Sequence, residues 1–295
     1  MVRFVCLILA SFTCLCTFSV YAISEEIDTL HGTPAFHQVD RGEYLYKIAL
    51  QYNCSYPAVS RANGIRNPNE IRAGMKLTIP KVMILPKREN DETIIVNLPE
   101  FRLYHFRADK EVKVYPLCIG LTTWQTPMGN FEVVNKIISP TWYMDTEMAN
   151  KLHVKKEVVP QGPLNPLGDH WIGTSLKHIG IHSTNQPMSI GRALSHRCMR
   201  LYPDSAKEFF EAVRLREREK GRILYEPVKL AASKGEIFLE VHEDVYGLTE
   251  DYQKELLSLA NLFQINPEHL DKEMLKRSLM EKRGIPMAIG KVPGI

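Results

Sequence analysis

One segment of the sequence, residues 178–200, concentrates the side chains that could carry out covalent chemistry. His182 lies in an alternating run, residues 179–183, that is typical of a strand, and Cys198 follows it. Only a thiolate attacks efficiently, and the pKa of a free cysteine thiol is about 8.5. A cysteine that acts as a nucleophile at neutral pH therefore needs a base such as histidine. Cys198 also precedes a helix expected to begin near Ser205, where oriented backbone N–H groups can stabilise a thiolate or an oxyanion. The segment therefore indicates acyl transfer through a thioester.

Two other interpretations of this segment stay open. A buried cysteine is often inert packing. Alternatively, three imidazole nitrogens and one thiolate could bind zinc. The candidate ligands are His178, His182, His196 and Cys198, with His178 and His182 expected on one strand face. A zinc hydrolase also needs a carboxylate base, and only Asp169 and Asp204 flank the segment, so thiol chemistry is favoured.

The composition is that of an ordinary globular protein of 295 residues, with 37 basic and 34 acidic residues. This near balance of charge, without a long run of like charges, gives no indication of a nucleic-acid partner. Arg3 and the apolar run that ends at Ala22 predict a secretory signal peptide, residues 1–22. We therefore expect an exported, periplasmic protein, which is membrane-tethered if the signal is not cleaved.

Removal of the signal leaves Cys54, Cys118 and Cys198 in an oxidising compartment. An odd number of cysteines cannot be fully paired within one chain, so at least one thiol stays free. A Cys54–Cys118 disulfide is one possibility, and burial of Cys118 in an apolar strand is the other.

The first predicted folding unit spans residues 37–80. Residues 36–39 are strand-like, Leu45 to Tyr52 and Tyr56 to Asn63 have helical patterns, and Lys76 to Pro80 alternates like a strand. These elements, with Gly42, Glu43, Asn67-Pro68 and Gly74, resemble a LysM module, a family that binds N-acetylglucosamine polymers such as peptidoglycan. The resemblance does not assign individual sugar contacts, and the candidates are the turn at residues 41–44 and the loop at residues 63–67.

The rest of the chain is rich in strands after a linker at residues 81–91. Short β-branched and aromatic runs predict strands at residues 93–98, 102–106, 111–119 and 129–137, and one substantial helix is expected at residues 205–219. We predict an α+β, mainly β fold. A β-sandwich-like catalytic domain at residues 92–230 follows the small βααβ module. A C-terminal extension at residues 231–295 contains a strand and two helices that begin at Thr249 as N-cap.

The reactive segment resembles the signature of the L,D-transpeptidase (YkuD) family. The matching residues are Ile181-His182-Ser183-Thr184 and Ser195-His196-Arg197-Cys198-Met199-Arg200-Leu201. Thr126 to Phe131 and Gly162 to Gly168 resemble two further family motifs. With the LysM module, the chain resembles periplasmic enzymes that attach lipoprotein to peptidoglycan or form its 3-3 crosslinks.

The resemblance implies a role for each matching residue. Cys198 becomes the nucleophile, His182 the general base and acid, and Ser183 orients the imidazole through its carbonyl. Backbone N–H groups near Arg197 and Cys198 form the oxyanion hole. The pocket is shaped by His196 and by Arg200, which is suited to a carboxylate.

Arg197 departs from the family pattern, which has glycine at this position. If the site requires a positive φ, arginine costs on the order of 1 kcal/mol and could distort the oxyanion hole. If φ is negative, arginine only adds a positive charge beside the thiolate.

These observations predict a peptidoglycan L,D-transpeptidase without a metal or organic cofactor. Its expected partners are glycan strands, peptide stems and a wall-attached lipoprotein. Cys198 would attack the diaminopimelate carbonyl of a tetrapeptide stem, release D-alanine and pass the acyl group to an amine. The alternatives are an L,D-carboxypeptidase of the same fold and a non-catalytic wall-binding protein whose site is impaired by Arg197.

Overall fold

The computed structural model describes residues 30–89, 91–144 and 146–292, and the predicted signal peptide lies outside these residues. The helices are α1 (Leu45–Gln51), α2 (Tyr56–Ala62), α3 (Thr146–Leu152), α4 (Pro203–Ala212), α5 (Tyr252–Leu262) and α6 (Lys272–Glu281). The strands are β1 (Leu30–His31), β2 (Ala35–Gln38), β3 (Lys76–Ile79), β4 (Met83–Ile84), β5 (Ile94–Asn97), β6 (Arg102–Phe106), β7 (Val112–Gly120), β8 (Gly129–Ile138), β9 (Trp142–Tyr143), β10 (Val158–Val159), β11 (His170–Thr174), β12 (Gly180–His182), β13 (Ala193–Ser195), β14 (Met199–Leu201), β15 (Lys220–Leu224), β16 (Val228–Ser233), β17 (Glu236–Val241) and β18 (Met287–Lys291). Within the described ranges, no helix is long and apolar enough to cross a membrane.

The N-terminal module has the predicted order of strand, helix, helix and strand. β2 and β3 pair antiparallel, and α1 buries Leu45, Ile48 and Ala49 at the spacing of one helix face. The Asn63 amide donates to the Val59 and Thr78 carbonyls, each at 2.8 Å, and accepts from the Thr78 N–H at 2.7 Å. This side chain therefore ties α2 to β3, and the sugar contacts expected from its loop stay a prediction.

The turn between α1 and α2 docks this module on the central domain. The Tyr202 hydroxyl donates to the Cys54 carbonyl at 3.3 Å, and the Ser205 hydroxyl donates to the Asn53 side-chain oxygen at 3.0 Å. A Cβ on Gly191 would lie 2.3 Å from the Ser55 hydroxyl oxygen, so only glycine permits this approach. The two units therefore pack directly against each other at this turn.

The central domain is built on a nine-stranded sheet with the order β13-β7-β14-β12-β11-β8-β15-β5-β6. An additional pairing of β6 with β7 closes the sheet on itself around one apolar core. Inward residues such as Leu117, Ile181 and Met199 are fully buried. The predicted fold class, mainly β with few helices, is confirmed.

The predicted helix at residues 205–219 is wrong at both ends. α4 begins at Pro203 and ends at Ala212, and a separate 3₁₀ turn follows at Leu215–Glu217. The reason is a tertiary contact: the buried Glu219 carboxylate accepts from the Arg214 N–H at 3.1 Å and binds His105 Nε2 at 3.1 Å. These bonds pull the chain away from the helix axis and back into the sheet.

The C-terminal part is a folded unit with its own core. β16, β17 and β18 form a separate three-stranded sheet, and α5 packs on it through Leu256 and Ala260. The predicted domain boundary at residue 230 falls inside β16, which pairs with β17 in this separate sheet, and the boundary stays a prediction. The helix cap is Asp251, which accepts from the N–H groups of residues 253 and 254, and the predicted cap Thr249 is wrong.

A buried charge cluster joins the C-terminal unit to the central domain. The Glu100 and Glu240 side chains are fully buried, and Arg102 Nη1 lies 2.9 and 2.7 Å from their oxygens. Lys229 Nζ lies 2.7 Å from Glu100 and 3.5 Å from Glu240, and the Ile84 N–H donates to Glu240 at 2.6 Å. Each carboxylate thus has cationic partners from β6 and from β16, and the cluster ties the linker, the large sheet and the C-terminal sheet together.

Candidate active site

Two neighbouring strands of the central sheet carry the residues predicted to react. β12 and β14 pair in parallel, with Ile181 opposite Met199 and His182 opposite Arg200. Because Ile181 and Met199 enter the core and side chains alternate along a strand, His182 and Arg200 point to the other face. Cys198 lies in the bend that immediately precedes β14. The register therefore places His182 and Arg200 on adjacent strands at one face, and Cys198 immediately precedes the second of these strands.

The His182 imidazole is buried and fixed in orientation. Its Nδ1 lies 2.5 Å from the Ser183 carbonyl oxygen, and since a carbonyl can only accept, Nδ1 carries the proton. Burial, followed by the positive charge of Arg200, lowers the pKa of His182 to about 4, although the Ser183 and Leu167 backbone groups oppose this shift. At neutral pH the ring is therefore uncharged, and its Nε2 lone pair can take a proton.

An indole covers this face of β12. Trp171 lies opposite His182 on β11, and the two rings stack with their centroids 5.7 Å apart. Trp171 Nε1 donates to the Asn135 side-chain oxygen at 3.1 Å, which holds the indole in place. A Cβ on Gly180 would lie 2.3 Å from the indole, so glycine is required under it.

The Cys198 thiol lies at the turn that precedes β12. Its Sγ donates to the His178 carbonyl oxygen at 3.5 Å, and the Ser195 hydroxyl donates to the Cys198 carbonyl. Cys54, Cys118 and Cys198 form no disulfide with one another, and the first two are buried. A Cys54–Cys118 disulfide is therefore absent from this structure.

The zinc interpretation does not agree with the geometry. His178 is exposed in a turn with φ +61°, outside β12, so it does not share a strand face with His182. In the described parts of the chain, the one group of at least three ligand atoms within 4.8 Å is Glu100, Glu240 and His242. That group lies in the charge cluster, where Arg102 and Lys229 already neutralise the two carboxylates and disfavour an added cation.

Arg197 occupies the conformation that the family's glycine would permit. Its φ is +74°, in the left-handed region, where an L-residue is strained. Its guanidinium makes two bonds to the Glu147 carboxylate on α3, at 2.7 and 3.2 Å. The backbone at Arg197 therefore has the positive φ that is costly for arginine, and the side chain points to α3.

Thr126 holds the peptide that precedes Cys198. Its hydroxyl donates to the Arg197 carbonyl oxygen at 2.8 Å and accepts from the Gly120 N–H at 2.9 Å. A Cβ on Gly120 would lie 2.2 Å from the Trp124 carbonyl oxygen, so the loop can close on the end of β7 only at glycine. The motif at residues 126–131 thus begins with a residue that supports the Cys198 loop.

The remaining predicted residues line the surroundings of the thiol. His196 packs edge-on against Trp124 with ring centroids 4.3 Å apart, and Lys151 from α3 lies 4.7 Å above the same indole. Arg200 Nη1 donates to the Gln186 side-chain oxygen at 3.3 Å, while its buried Nε has no hydrogen-bond partner in the described residues.

Sequence reasoning missed Trp124, Glu147 and Trp171 at this site. α3 was not predicted because its short sequence lacks a regular apolar stripe, and so the partner of Arg197 was not found. The two tryptophans could have been predicted as pocket-lining residues, because large aromatic side chains close to a predicted motif are candidates for pocket walls.

Comparisons with known proteins agree with these observations. A model of the L,D-transpeptidase catalytic domain (YkuD) matches residues 91–229, and a LysM domain model matches residues 37–80. The probable L,D-transpeptidase YcfS of Escherichia coli (strain K12) is 31% identical over 276 residues, which cover 88% of this chain and 85% of that protein. The probable L,D-transpeptidase ErfK/SrfK of the same strain is 30% identical over 259 residues, covering 83% and 82%. Among solved structures, the NMR structure of the catalytic domain from an Enterococcus faecium L,D-transpeptidase covers 47% of this chain and all of that domain, with 22% identity and a TM-score of 0.37.

Proposed function

Because the chain belongs to the L,D-transpeptidase (YkuD) family, we propose that it is a cysteine-dependent acyltransferase of the peptidoglycan stem peptides. The observation that carries this proposal is the neutral His182 ring, fixed by Ser183 on the strand beside the one that Cys198 precedes. A fixed, uncharged imidazole on the strand beside the one that a cysteine precedes is an arrangement that supports general-base activation of that cysteine.

The first half-reaction forms a thioester. His182 Nε2 takes the thiol proton, and Cys198 Sγ attacks the carbonyl carbon of diaminopimelate at the third position of a tetrapeptide stem. The C–S bond forms, the C–N bond to the terminal D-alanine breaks, and His182 returns the proton to the leaving amine. The oxyanion that develops in between is stabilised by backbone N–H groups at Arg197 and Cys198.

The second half-reaction transfers the acyl group. An acceptor amine loses a proton to His182 and attacks the thioester carbon, and the C–S bond breaks to restore the thiol. The acceptor is the diaminopimelate amine of another stem, which gives a 3-3 crosslink, or a lysine of a wall lipoprotein. Neither half-reaction requires a metal or an organic cofactor.

Arg200 and His196 are proposed to bind the donor stem. The stem carries carboxylates, and Arg200 lies opposite His182 on the neighbouring strand, where its guanidinium can pair with one of them. The His196 ring, packed on Trp124, forms one wall of the pocket. Arg197 is proposed to contribute its backbone N–H, since its side chain is bonded to Glu147.

The LysM domain is proposed to hold the enzyme on the glycan. LysM and transpeptidase relatives together indicate an extracytoplasmic cell-wall enzyme, and we propose export through the signal peptide at residues 1–22. Docking through the turn at residues 53–55 means that glycan binding and catalysis occur on one packed body rather than on freely tethered domains.

Intact-protein mass spectrometry with a carbapenem tests the nucleophile. We expect one covalent adduct on the wild-type protein and on Cys54→Ala, a control that removes a buried thiol, and none on Cys198→Ala. An unchanged adduct on Cys198→Ala would refute the assignment.

Incubation with purified muropeptides tests the reaction. A crosslinked dimer that depends on Cys198 supports transfer. A tripeptide with no dimer would instead assign the protein as an L,D-carboxypeptidase, in which water accepts the acyl group.

A non-catalytic wall-binding protein is a second candidate, and the strained φ of Arg197 is the observation that favours it. Thiol alkylation separates the two candidates. An activated Cys198 reacts with iodoacetamide well below pH 8, whereas an inert thiol does not.

A further inference from the structure

The C-terminal unit sends one side chain into the core of the central domain. Tyr246, in the loop after β17, is buried among core residues of the large sheet such as Ile119 and Phe131. The L,D-transpeptidase model ends at residue 229, so this tyrosine lies outside the part of the chain that the family match covers. Its function therefore has to be inferred from its contacts.

The Tyr246 hydroxyl bonds to both sides of the Thr126 loop. It donates to the Gly120 carbonyl oxygen at 2.8 Å and accepts from the Thr126 N–H at 3.2 Å. Burial raises the pKa of this phenol, so the hydroxyl stays protonated and remains a donor. Tyr246 thus fixes the position of Thr126 relative to the end of β7.

Thr126 in turn fixes the peptide that joins Arg197 to Cys198. The carbonyl of Arg197, which accepts from the Thr126 hydroxyl at 2.8 Å, belongs to the same planar peptide unit as the N–H of Cys198. In a trans peptide the two groups point in opposite directions, so a bond that orients the carbonyl also orients the N–H. This is the N–H that the proposed mechanism uses to stabilise the oxyanion.

The loop that carries Tyr246 is itself fixed. The Tyr225 and Tyr246 rings stack with centroids 5.8 Å apart, and the Tyr246 N–H donates to the Tyr225 hydroxyl at 2.8 Å. The Tyr225 hydroxyl donates to Asp244, whose carboxylate also accepts from the Leu248 and Thr249 N–H groups at 2.9 and 2.8 Å. A rigid support of this kind is what a positioning contact requires.

We propose that Tyr246 is a positioning residue for acyl transfer, which acts through Thr126 on the Cys198 peptide and makes the C-terminal unit part of the active site. The inference rests on the proposed function. It predicts a specific defect: loss of the hydroxyl should impair steps that develop an oxyanion and leave other reactions of the thiol unchanged.

Two reactions of Cys198, measured on the full-length protein, test the inference. Acylation by a carbapenem passes through a tetrahedral oxyanion, whereas alkylation by iodoacetamide does not. For Tyr246→Phe, which keeps the ring and its stacking, we expect the acylation rate to fall on the order of tenfold, since loss of a whole oxyanion donor costs about 100-fold or more. The alkylation rate should stay within about twofold of the wild-type rate, because no oxyanion forms.

Tyr252→Phe is the matched control. It removes a hydroxyl of the same C-terminal unit, which donates to the His242 carbonyl at 2.9 Å, and should change neither rate. Thr126→Val removes the hydrogen bond from the Thr126 hydroxyl to the Arg197 carbonyl, and should also lower the rate of acylation without changing that of alkylation. Combining it with Tyr246→Phe should give less than the product of the two single effects.

The outcomes separate this inference from the proposed function. Equal acylation of wild type and Tyr246→Phe overturns the inference and leaves the transpeptidase assignment intact. An equal fall in both rates also overturns it, because Tyr246 would then only stabilise the fold. A wild-type protein that is alkylated but never acylated overturns both.

Discussion

Replacement of Arg197 by glycine tests whether the chain tolerates an arginine at a position where the resemblance to the family predicts glycine. The backbone there has φ +74°, and the side chain contributes only the pair of bonds to Glu147. The Arg197→Gly variant therefore removes the strain and the ion pair together, while the bond from Thr126 to the carbonyl can remain.

Three contributions to the free energy of unfolding nearly cancel in this variant. Glycine relieves about 1 kcal/mol of left-handed strain. It also increases the freedom of the unfolded chain, which costs about 0.4–1 kcal/mol. Loss of the Glu147 pair, whose side chains are 38% and 60% exposed, costs about 0–1 kcal/mol. We expect urea denaturation to place Arg197→Gly within about 1 kcal/mol of the wild type.

Two further variants at this site act as controls. Arg197→Val retains the positive φ with a β-branched side chain, and should lose about 2 kcal/mol because that conformation is strongly disfavoured. Glu147→Gln breaks the ion pair and leaves the backbone at Arg197 as it is, so it isolates the contribution of the pair.

The rate of carbapenem acylation then separates a tolerated arginine from a harmful one. If the loop is already held in the active geometry, Arg197→Gly and Glu147→Gln acylate within about threefold of the wild-type rate. A loss greater than about tenfold would show that the guanidinium takes part in acylation, and a gain of that size would show that arginine disables the site. Either result would contradict the expectation that Arg197 is tolerated in a loop already held in the active geometry.

Three more predictions concern the site and its support. The pKa of His182 is about 4 in the folded protein and 6.5 in its ordinary range. As the pH falls, the unfolded chain therefore binds a proton at His182 before the folded protein does. The contribution of His182 to the free energy of unfolding has its full value above pH 6.5. It falls by about 3 kcal/mol as the pH drops to 4. Denaturant titrations of wild type and His182→Gln should show that difference, and alkylation of Cys198 should fall below about pH 4 as the ring protonates. Glu240→Gln removes one of the two buried carboxylates that pair with Arg102 and Lys229, and should cost about 3–5 kcal/mol in urea denaturation. The exposed-pair control Asp91→Asn should produce no measurable change, and an equal loss in both would contradict the role of burial. Gly180→Ala should displace the indole of Trp171, with a fluorescence change and a loss of about 1–3 kcal/mol. An unchanged emission spectrum would show that the indole does not cover this strand.

Local patterns were sufficient for the elements of the N-terminal module and for five of the nine strands of the central sheet. The strand and helix spacings of the N-terminal module and the β-branched runs of the central domain predicted their elements to within a few residues. Errors arose where a distant side chain competed with the local pattern. α4 stops early because Glu219 binds Arg214 and His105, and the third strand of the C-terminal sheet was missed because it contains Gly290 and offers no clear alternation.

Residue types and their spacing were also sufficient to nominate Cys198 and His182, because a thiol and an imidazole in a strand and pre-helix context restrict the chemistry to few classes. The conformation of Arg197 and the supports of the Cys198 peptide were decided by the tertiary structure alone. Thr126 reaches Arg197 across 71 positions, and Tyr246 reaches Gly120 across 126. Contacts between residues so far apart in the sequence produce no periodic pattern that could predict them. They form only when the closed sheet and the C-terminal unit bring separate loops to one end of β7.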